Sequence, residues 1–340
     1  MKLYVCGITP YDTTHLGHAF TYIQFDALIR YLHSKGRKVT YVQNITDIDD
    51  DILRKAKEEG RNWKELGQFW TKQFLMDLKN LNILLPDKMP KATDAIPKII
   101  EINKVLEEKG QAYKKGENLY FRVLSFPNYG QLSRLSRKEM IRISGDRGGD
   151  PKDPNKEDPL DFILWQGMKE GEPFWESPWG KGRPGWHIEC SAMIHKYLGE
   201  QIDIHGGGAD LIFPHHESEI AQSESYTGKF PFVKQWMHTG MVRYKGEKMS
   251  KSLGNLVMIK DLLKIYSPNQ IRYLLLSHHY SEEWEFNEED LQSFQKTLEV
   301  KMIKKGDKKM FEKYMEEDLN INKALECAGE EELKILGFTL

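Results

Sequence analysis

Residues 2–6 (KLYVC) form a short apolar run that stops at Gly7, which predicts a buried strand. From His15 to Gly36 the apolar positions Phe20, Ile23, Leu28, Ile29 and Leu32 approximate one face of a helix. Thr13 or Thr14 stands where that helix needs a cap, and Gly36 where it needs a stop. The β-branched and aromatic run VTYVQNI follows and enters the acidic turn TDIDDD, completing strand, helix and strand within the length of one βαβ unit. Such an opening belongs to an α/β nucleotide-binding fold. Ligands of these folds gather at the carboxyl ends of the strands, and the first of those ends carries Gly7, Thr9, His15, Gly17 and His18.

Further along, residues 52–84 read as helical, with Leu85, Pro86 and Pro90 marking a break, and 93–109 resume the helical period up to Gly110. Between 111 and 185 the character changes. The strand-like NLYFRV, many Gly and Pro residues and the charged run GDRGGDPKDPNKEDP predict an inserted module with exposed loops. The α/β pattern returns in GWHIECSAMIHKYLG and in QIDIHGGGADLIF, an apolar strand running into three glycines, so a second half-sheet is expected. From 258 onward the pattern is mostly helical, and the charged run at 301–313 reads as a solvated helix face.

Composition narrows the function classes. A chain of 340 residues has room for two or three packed units. With 39% hydrophobic and 29% charged residues it is neither disordered nor a basic coat protein, and 49 basic against 51 acidic side chains leave a net charge of −2. Bulk electrostatics therefore cannot be the basis of nucleic-acid binding; only a local basic face could serve. No run approaches the about 18 apolar residues of a membrane span, and no signal-peptide core follows the N-terminus, so a cytoplasmic protein without a membrane partner is expected. Cys6, Cys190 and Cys327 are odd in number and far apart, which suits reduced thiols or metal ligands better than disulfides.

Two motifs carry chemistry. His15-Leu16-Gly17-His18 follows the first strand and opens the helix, where free backbone N–H groups and the helix dipole favour a bound phosphate. Gly17 lets a ring or ribose approach the backbone, and each imidazole can donate a hydrogen bond as charge develops at an α-phosphate. Far downstream, Lys248-Met249-Ser250-Lys251-Ser252 lies between Gly246 and Gly254, a mobile cationic clamp for a polyphosphate leaving group. Each is a weak signal alone. Together they resemble the paired signature of the class I aminoacyl-tRNA synthetases.

The resemblance sharpens to the cysteinyl-tRNA synthetases through VCGITPYDTTHLGHA, YVQNITDIDDDIL, GRPGWHIECSAM, DIHGGGADLIFPHHESEIAQSE, WMHTGMV and GEKMSKSLGN, and covers the chain from about residue 3 to 290. It implies a Rossmann-like catalytic core whose parallel sheet is split by an insertion, followed by a helical segment. The corresponding units are 1–86 and 184–257 for the two halves of the core, 87–183 for the inserted module and 258–340 for the helical region. It further implies catalytic roles for His15, His18, Lys248 and Lys251, and ATP contacts, with Mg2+, at Gly7, Thr9, Gly17, His18, Gly206, Gly207, Gly208, Met249, Ser250 and Lys251. Thr46, Trp186, His205 and Asp210 fall in the cysteine pocket, Asp210 toward the substrate ammonium and Trp186 as a wall.

Cys6, Cys190, His215 and Glu219 match the family's zinc positions. Two thiolates, an imidazole and a carboxylate suit one four-coordinate zinc per chain, and His215 and Glu219 stand i, i+4 as on one helix face. Zinc coordination by the substrate would separate a thiol from a hydroxyl, a distinction that shape alone cannot make.

The expected reaction is ATP-dependent activation of L-cysteine and transfer to the 3′ end of tRNA(Cys) by a monomer. Family members usually have sequence before the VCG strand, often carry Arg where Phe20 stands, and have an anticodon-binding domain for which this chain leaves no obvious room. These departures also resemble the mycothiol-pathway cysteine ligases, which pass activated cysteine to the amine of an amino sugar. A non-catalytic paralogue would be expected to lose the histidine pair, the second lysine or the metal set, and all are intact.

Overall fold

The structure, a computed structural model, describes residues 1–12, 14–249 and 253–339. The predicted opening is present: β1 (Lys2–Ile8), α1 (Leu16–Ser34) and β2 (Thr40–Ile45), with β1 and β2 parallel. The cap of α1 differs from expectation. Thr14 is buried and its carbonyl accepts the Ile259 N–H at 3.0 Å, while His15 Nδ1 accepts the Gly17 N–H at 3.1 Å and serves as the cap. Thr13 lies outside the described residues. The helix expected over 52–84 is two, α2 (Asp50–Glu58) and α3 (Trp63–Asn80), because Gly60 takes a φ of 62° and Asn62 caps a new start.

After α4 (Ile96–Glu108) the chain leaves the parallel sheet. β3 (Ala112–Lys115), β4 (Asn118–Phe121), β5 (Phe162–Gly167) and β6 (Gly182–Pro184) make an antiparallel sheet in that order, with α5 (Arg137–Asp146) inserted between β4 and β5. The chain then returns through α6 (Trp186–Tyr197), β7 (Ile202–Gly208), α7 (Glu217–Thr227) and β8 (Val233–Thr239). The parallel sheet has the order β2-β1-β7-β8, so strands from the two ends of the split meet at β1 and β7, with Tyr4 opposite His205 and Val5 opposite Gly206. A seam of this kind is where α/β sheets bind ligands, beyond the carboxyl ends of the strands.

Strand alternation decides what each face holds. Leu3 and Val5 join a core with α1, whereas Tyr4 and Cys6 join a second core that includes Ile188, Cys190 and Ala221 of α6 and α7. Cys6 thus points toward Cys190 by the period of a strand.

The remaining chain forms β9 (Val242–Tyr244) and β10 (Glu247–Lys248), then α8 (Ile259–Leu262), α9 (Pro268–Leu276), β11 (Trp284–Glu285) beside β9, and the helices α10 (Glu288–Met302), α11 (Lys308–Glu316), α12 (Ile321–Cys327) and α13 (Glu330–Ile335). Arg272 of α9 ties this region to the core. It is buried, pairs with Asp26 of α1, and donates to the carbonyls of Leu81 at 3.0 Å and Leu336 at 2.6 Å. Among the described residues, no helix is long and apolar enough to cross a membrane.

Candidate functional site

A cavity of about 900 Å³ opens beyond the carboxyl ends of β1 and β7. Its nucleotide end is built by the start of α1. The rings of His15 and His18 stack at 3.8 Å, and a Cβ on Gly17 would come to 3.0 Å from the His15 ring, so glycine is what lets that ring fold back over the helix start. The histidine segment is also pinned from a distance: Leu16 N–H donates to Val257 O at 2.8 Å, and Ile259 N–H to Thr14 O. The chain that follows the lysine motif is therefore bonded to the histidine motif.

On the opposite side, the hairpin of β9 and β10 brings Lys248 and Met249 to the cavity. Lys248 Nζ lies 4.0 Å from Asp210 Oδ2; both side chains are about half exposed, so water screens the pair and little energy opposes its opening. Ser250 and Lys251 lie outside the described residues.

The predicted residues divide into those on the cavity wall and those behind it. Cys6, Gly7, Thr9, His15, Gly17, His18, Trp186, Gly208, Asp210, Lys248 and Met249 line it. Thr46, Cys190, His205, Gly206, Gly207, His215 and Glu219 do not. Thr46 is buried, with its Oγ1 accepting from Asn44 Nδ2 at 3.1 Å. His205 is fully buried, stacks on Trp236 at 4.7 Å and faces Glu219 Oε2 at 2.9 Å.

The glycines have packing reasons of their own. A Cβ on Gly7 would meet Asn44 O at 1.6 Å, and one on Gly206 would meet Met237 O at 2.2 Å and the Phe25 ring at 2.3 Å. These two positions hold strands and α1 at close range. Gly208 is the one of the three consecutive glycines that reaches the cavity wall.

Beneath Trp186, whose ring stacks on His215 at 4.4 Å, lies a buried cluster of sulfur, nitrogen and oxygen donors. The donor atoms of Cys6, Cys190, His215 and Glu219 all fall within 4.8 Å of one another, and His215 Nε2 is 3.0 Å from Glu219 Oε1. A hydrogen bond from Cys6 holds the Cys190 thiol down, to about 6, while burial pushes the Cys6 thiol up. Burial opposes charge on Glu219, but His205 and His215 outweigh it and bring the carboxyl down to about 2. These are the properties of a metal-ligand pocket: one thiol and a carboxylate ready to ionise, with a second thiol beside them, in a place buried from water.

Three histidines around this cluster escaped the sequence reading. His187 Nδ1 lies 3.0 Å from His215 Nδ1, His216 Nε2 lies 3.3 Å from Cys6 Sγ, and His238 Nε2 lies 2.8 Å from His216 Nδ1. The doublet His215-His216 just before Glu219 was a local sign of the second; His187 and His238 left none. Arg147, also unforeseen, reaches from the end of α5 to the carbonyl of Phe213 and lines the cavity.

Residues 1–296 match the family described as tRNA synthetases class I (C) catalytic domain. The cysteine–tRNA ligase of Thermodesulfovibrio yellowstonii is 47% identical, the match covering 95% of this chain and 72% of the relative. That of Pyrococcus furiosus is 53% identical over 86% of this chain and 60% of the relative. The chain thus spans 60% to 72% of the length of these two relatives. Among solved structures, Mycobacterium tuberculosis methionyl-tRNA synthetase bound by methionyl-adenylate superposes with a TM-score of 0.71 at 15% identity, over 99% of this chain and 82% of that one, a likeness of fold.

Proposed function

The chain belongs to the cysteine–tRNA ligase family of class I synthetases, and from that premise we propose that it activates L-cysteine with ATP and Mg2+ and transfers the cysteinyl group to the 3′ end of tRNA(Cys). The observation that carries this is the buried donor set of Cys6, Cys190, His215 and Glu219 directly beneath the cavity that His15 and His18 line.

The donors fit zinc: two sulfurs, one imidazole nitrogen and one carboxylate oxygen, mutually close and shielded from water. Zinc held there would supply a soft Lewis acid that binds a thiolate in preference to a hydroxyl. Trp186, stacked on His215, walls the cavity above the donors and limits what can approach. Asp210, once Lys248 turns to phosphate, is left to pair with the substrate ammonium.

In the first half-reaction a carboxylate oxygen of cysteine attacks the α-phosphorus of ATP, the bond to the bridging oxygen of the β-phosphate breaks, and pyrophosphate leaves. His15 and His18 donate hydrogen bonds to the phosphate oxygens as charge builds, and Lys248 and Lys251 offset the charge of the leaving pyrophosphate. In the second, a ribose hydroxyl of the tRNA attacks the carbonyl carbon and AMP leaves. The names of the curated relatives favour tRNA over an amino-sugar amine as acceptor.

Cysteine-dependent ATP–pyrophosphate exchange tests activation, and parallel assays of transfer to tRNA(Cys) and to amino-sugar amines test the acceptor. Exchange with serine at the rate of cysteine, or transfer to the amine alone, overturns the proposal. Cys190→Ser is expected to remove bound zinc and selectivity for cysteine together.

A further inference from the structure

We infer that the part of the cavity wall supplied by the inserted module is a subsite for the acceptor: Arg147 binds the phosphate that precedes a nucleic acid's 3′-terminal nucleoside, and Tyr129 and Phe162 take the base of that nucleoside. The inference rests on the reading of tRNA as acceptor and deepens it by naming the residues that recognise it.

The cavity is larger than the activation step requires. At about 900 Å³ it lies near the top of the about 300–1,000 Å³ range of pockets for a single drug-sized ligand. The groups assigned to ATP and cysteine come from the start of α1, the β9–β10 hairpin, the end of β7 and the start of α6. A further stretch of wall has another origin. Tyr129, Arg147, Leu160, Phe162 and Gln166 all belong to the segment between α4 and α6, and none has a part in activation.

Charge sets Arg147 apart. Among the described residues, the other lysine and arginine side chains on the wall are committed: Arg183 to Asp50 and Glu172, and Lys248 to Asp210 at 4.0 Å. Arg147 is paired with no carboxylate among them. Its Nη1 donates to the Phe213 carbonyl at 2.5 Å, and the rest of the guanidinium fork is left to grip an anion. Across the cavity, Asp49 and Asp51 at the start of α2 line the wall, so a polyanion has its favourable approach along Arg147.

The backbone around Arg147 is braced. It closes α5, and the next turn folds so tightly that a Cβ on Gly149 would meet Ser144 Oγ at 2.2 Å. Lys156 donates to the Gly149 carbonyl from across the loop, and Asp161, whose charge acts on Lys156, accepts from Tyr113 OH at 2.7 Å and from the Val123 N–H at 2.8 Å. A solvated arginine has no need of this bracing. A guanidinium that must hold a phosphate at a fixed distance from the reacting carbonyl does.

The ring planes of Tyr129 and Phe162 lie 22° apart with centroids at 6.3 Å, Leu160 extends the apolar surface, and Gln166 adds an amide for a base edge. Aromatic contact of this kind suits any base. An amino sugar offers Arg147 an ammonium instead of a phosphate, and the like charges repel.

The test uses the full chain with Arg147→Gln, which keeps an N–H donor for the Phe213 carbonyl and removes the charge. In cysteine transfer the KM for tRNA(Cys) should rise by about 10–100-fold, and the slope of its salt dependence should fall by about one. Cysteine-dependent ATP–pyrophosphate exchange should stay within about threefold of wild type, and Arg147→Lys should recover part of the KM. Phe162→Leu should raise the same KM by about 5–100-fold, with circular dichroism confirming the fold. Exchange lost together with transfer in Arg147→Gln would place Arg147 in activation or in the support of Phe213 and overturn the inference. A KM for tRNA within about twofold of wild type would overturn it while leaving the proposed function intact. A wild-type chain that exchanges but transfers cysteine only to an amino-sugar amine would overturn both.

Discussion

Glu217 sits between two metal-ligand candidates without being one, and its replacement by alanine separates holding the ligands in place from holding the fold. Its buried carboxylate accepts the Ser133 N–H at 2.9 Å and the Leu132 N–H at 3.4 Å, linking the loop before α5 to the start of α7. Two more grips fall on the same stretch: Arg147 on the Phe213 carbonyl, and Tyr129 OH with Ser218 Oγ at 3.1 Å. The inserted segment therefore holds the backbone that carries His215 and Glu219 at three points. Only the 2.9 Å bond is well formed, and a charge-assisted bond of this kind contributes about 1.5–3 kcal/mol, so with the Ser133 N–H left bare, Glu217→Ala should cost about 3 kcal/mol. If the grip also sets ligand geometry, zinc affinity should fall by about 10–100-fold. Urea unfolding of the metal-free chain gives the first quantity and competition with a zinc chelator the second. Glu217→Gln, which keeps an acceptor oxygen, should recover most of the zinc affinity while remaining less stable than wild type. Lost stability with zinc affinity within about twofold of wild type would refute a positioning role.

Three further perturbations have defined outcomes. Asp26→Asn leaves Arg272 buried without its anionic partner and should lower the unfolding free energy by about 3–5 kcal/mol; a loss under about 1 kcal/mol would show that the backbone carbonyls suffice. Gly7→Ala forces β1 from β2 and should cost at least about 3 kcal/mol, while Gly36→Ala, with φ 71° but nothing within 4 Å of the added carbon, should cost about 1 kcal/mol; a Gly7 variant of full stability with a raised KM for ATP would instead make Gly7 a nucleotide contact only. Burial holds the His195 imidazole down to about 4, so between that value and about 6.5 the unfolded chain binds the extra proton. The stability from keeping His195 neutral is complete above about pH 6.5 and declines by about 3 kcal/mol as the pH falls to about 4. His195→Gln should flatten urea midpoints across that window, and an unchanged slope would refute the assignment.

How much of this could be read from residues alone depends on the range of the interaction. Period two in KLYVC separates Leu3 and Val5 from Tyr4 and Cys6, and the structure puts these pairs in different cores, so the direction of Cys6 was legible. The spacing of His215 and Glu219 was legible too, although the backbone kinks at Phe213 and His215 occupies the turn before α7 instead of α7 itself. What brings Cys190 to them is the β1–β7 seam and the packing of α6 and α7 against it, which no local pattern announces. His187 and His238 were lost for the same reason: each is a lone histidine until the fold sets another beside it.

Glycine is ambiguous in a different way. A strand that must lie close to its neighbour and a strand end that must admit a nucleotide call for the same residue, so Gly7 and Gly206 read as ligand contacts on the page. Their missing Cβ atoms are matched by the carbonyls of Asn44 and Met237 on neighbouring strands. Gly7 lines the cavity as well, so both demands meet there, and Gly7→Ala measures how much of its role is packing. At Gly206 and Gly207, which do not line the cavity, an added Cβ would meet Met237 O at 2.2 Å and Leu211 Cδ1 at 2.8 Å, so packing is reason enough for a glycine, and of the three only Gly208 at the strand end reaches the cavity wall.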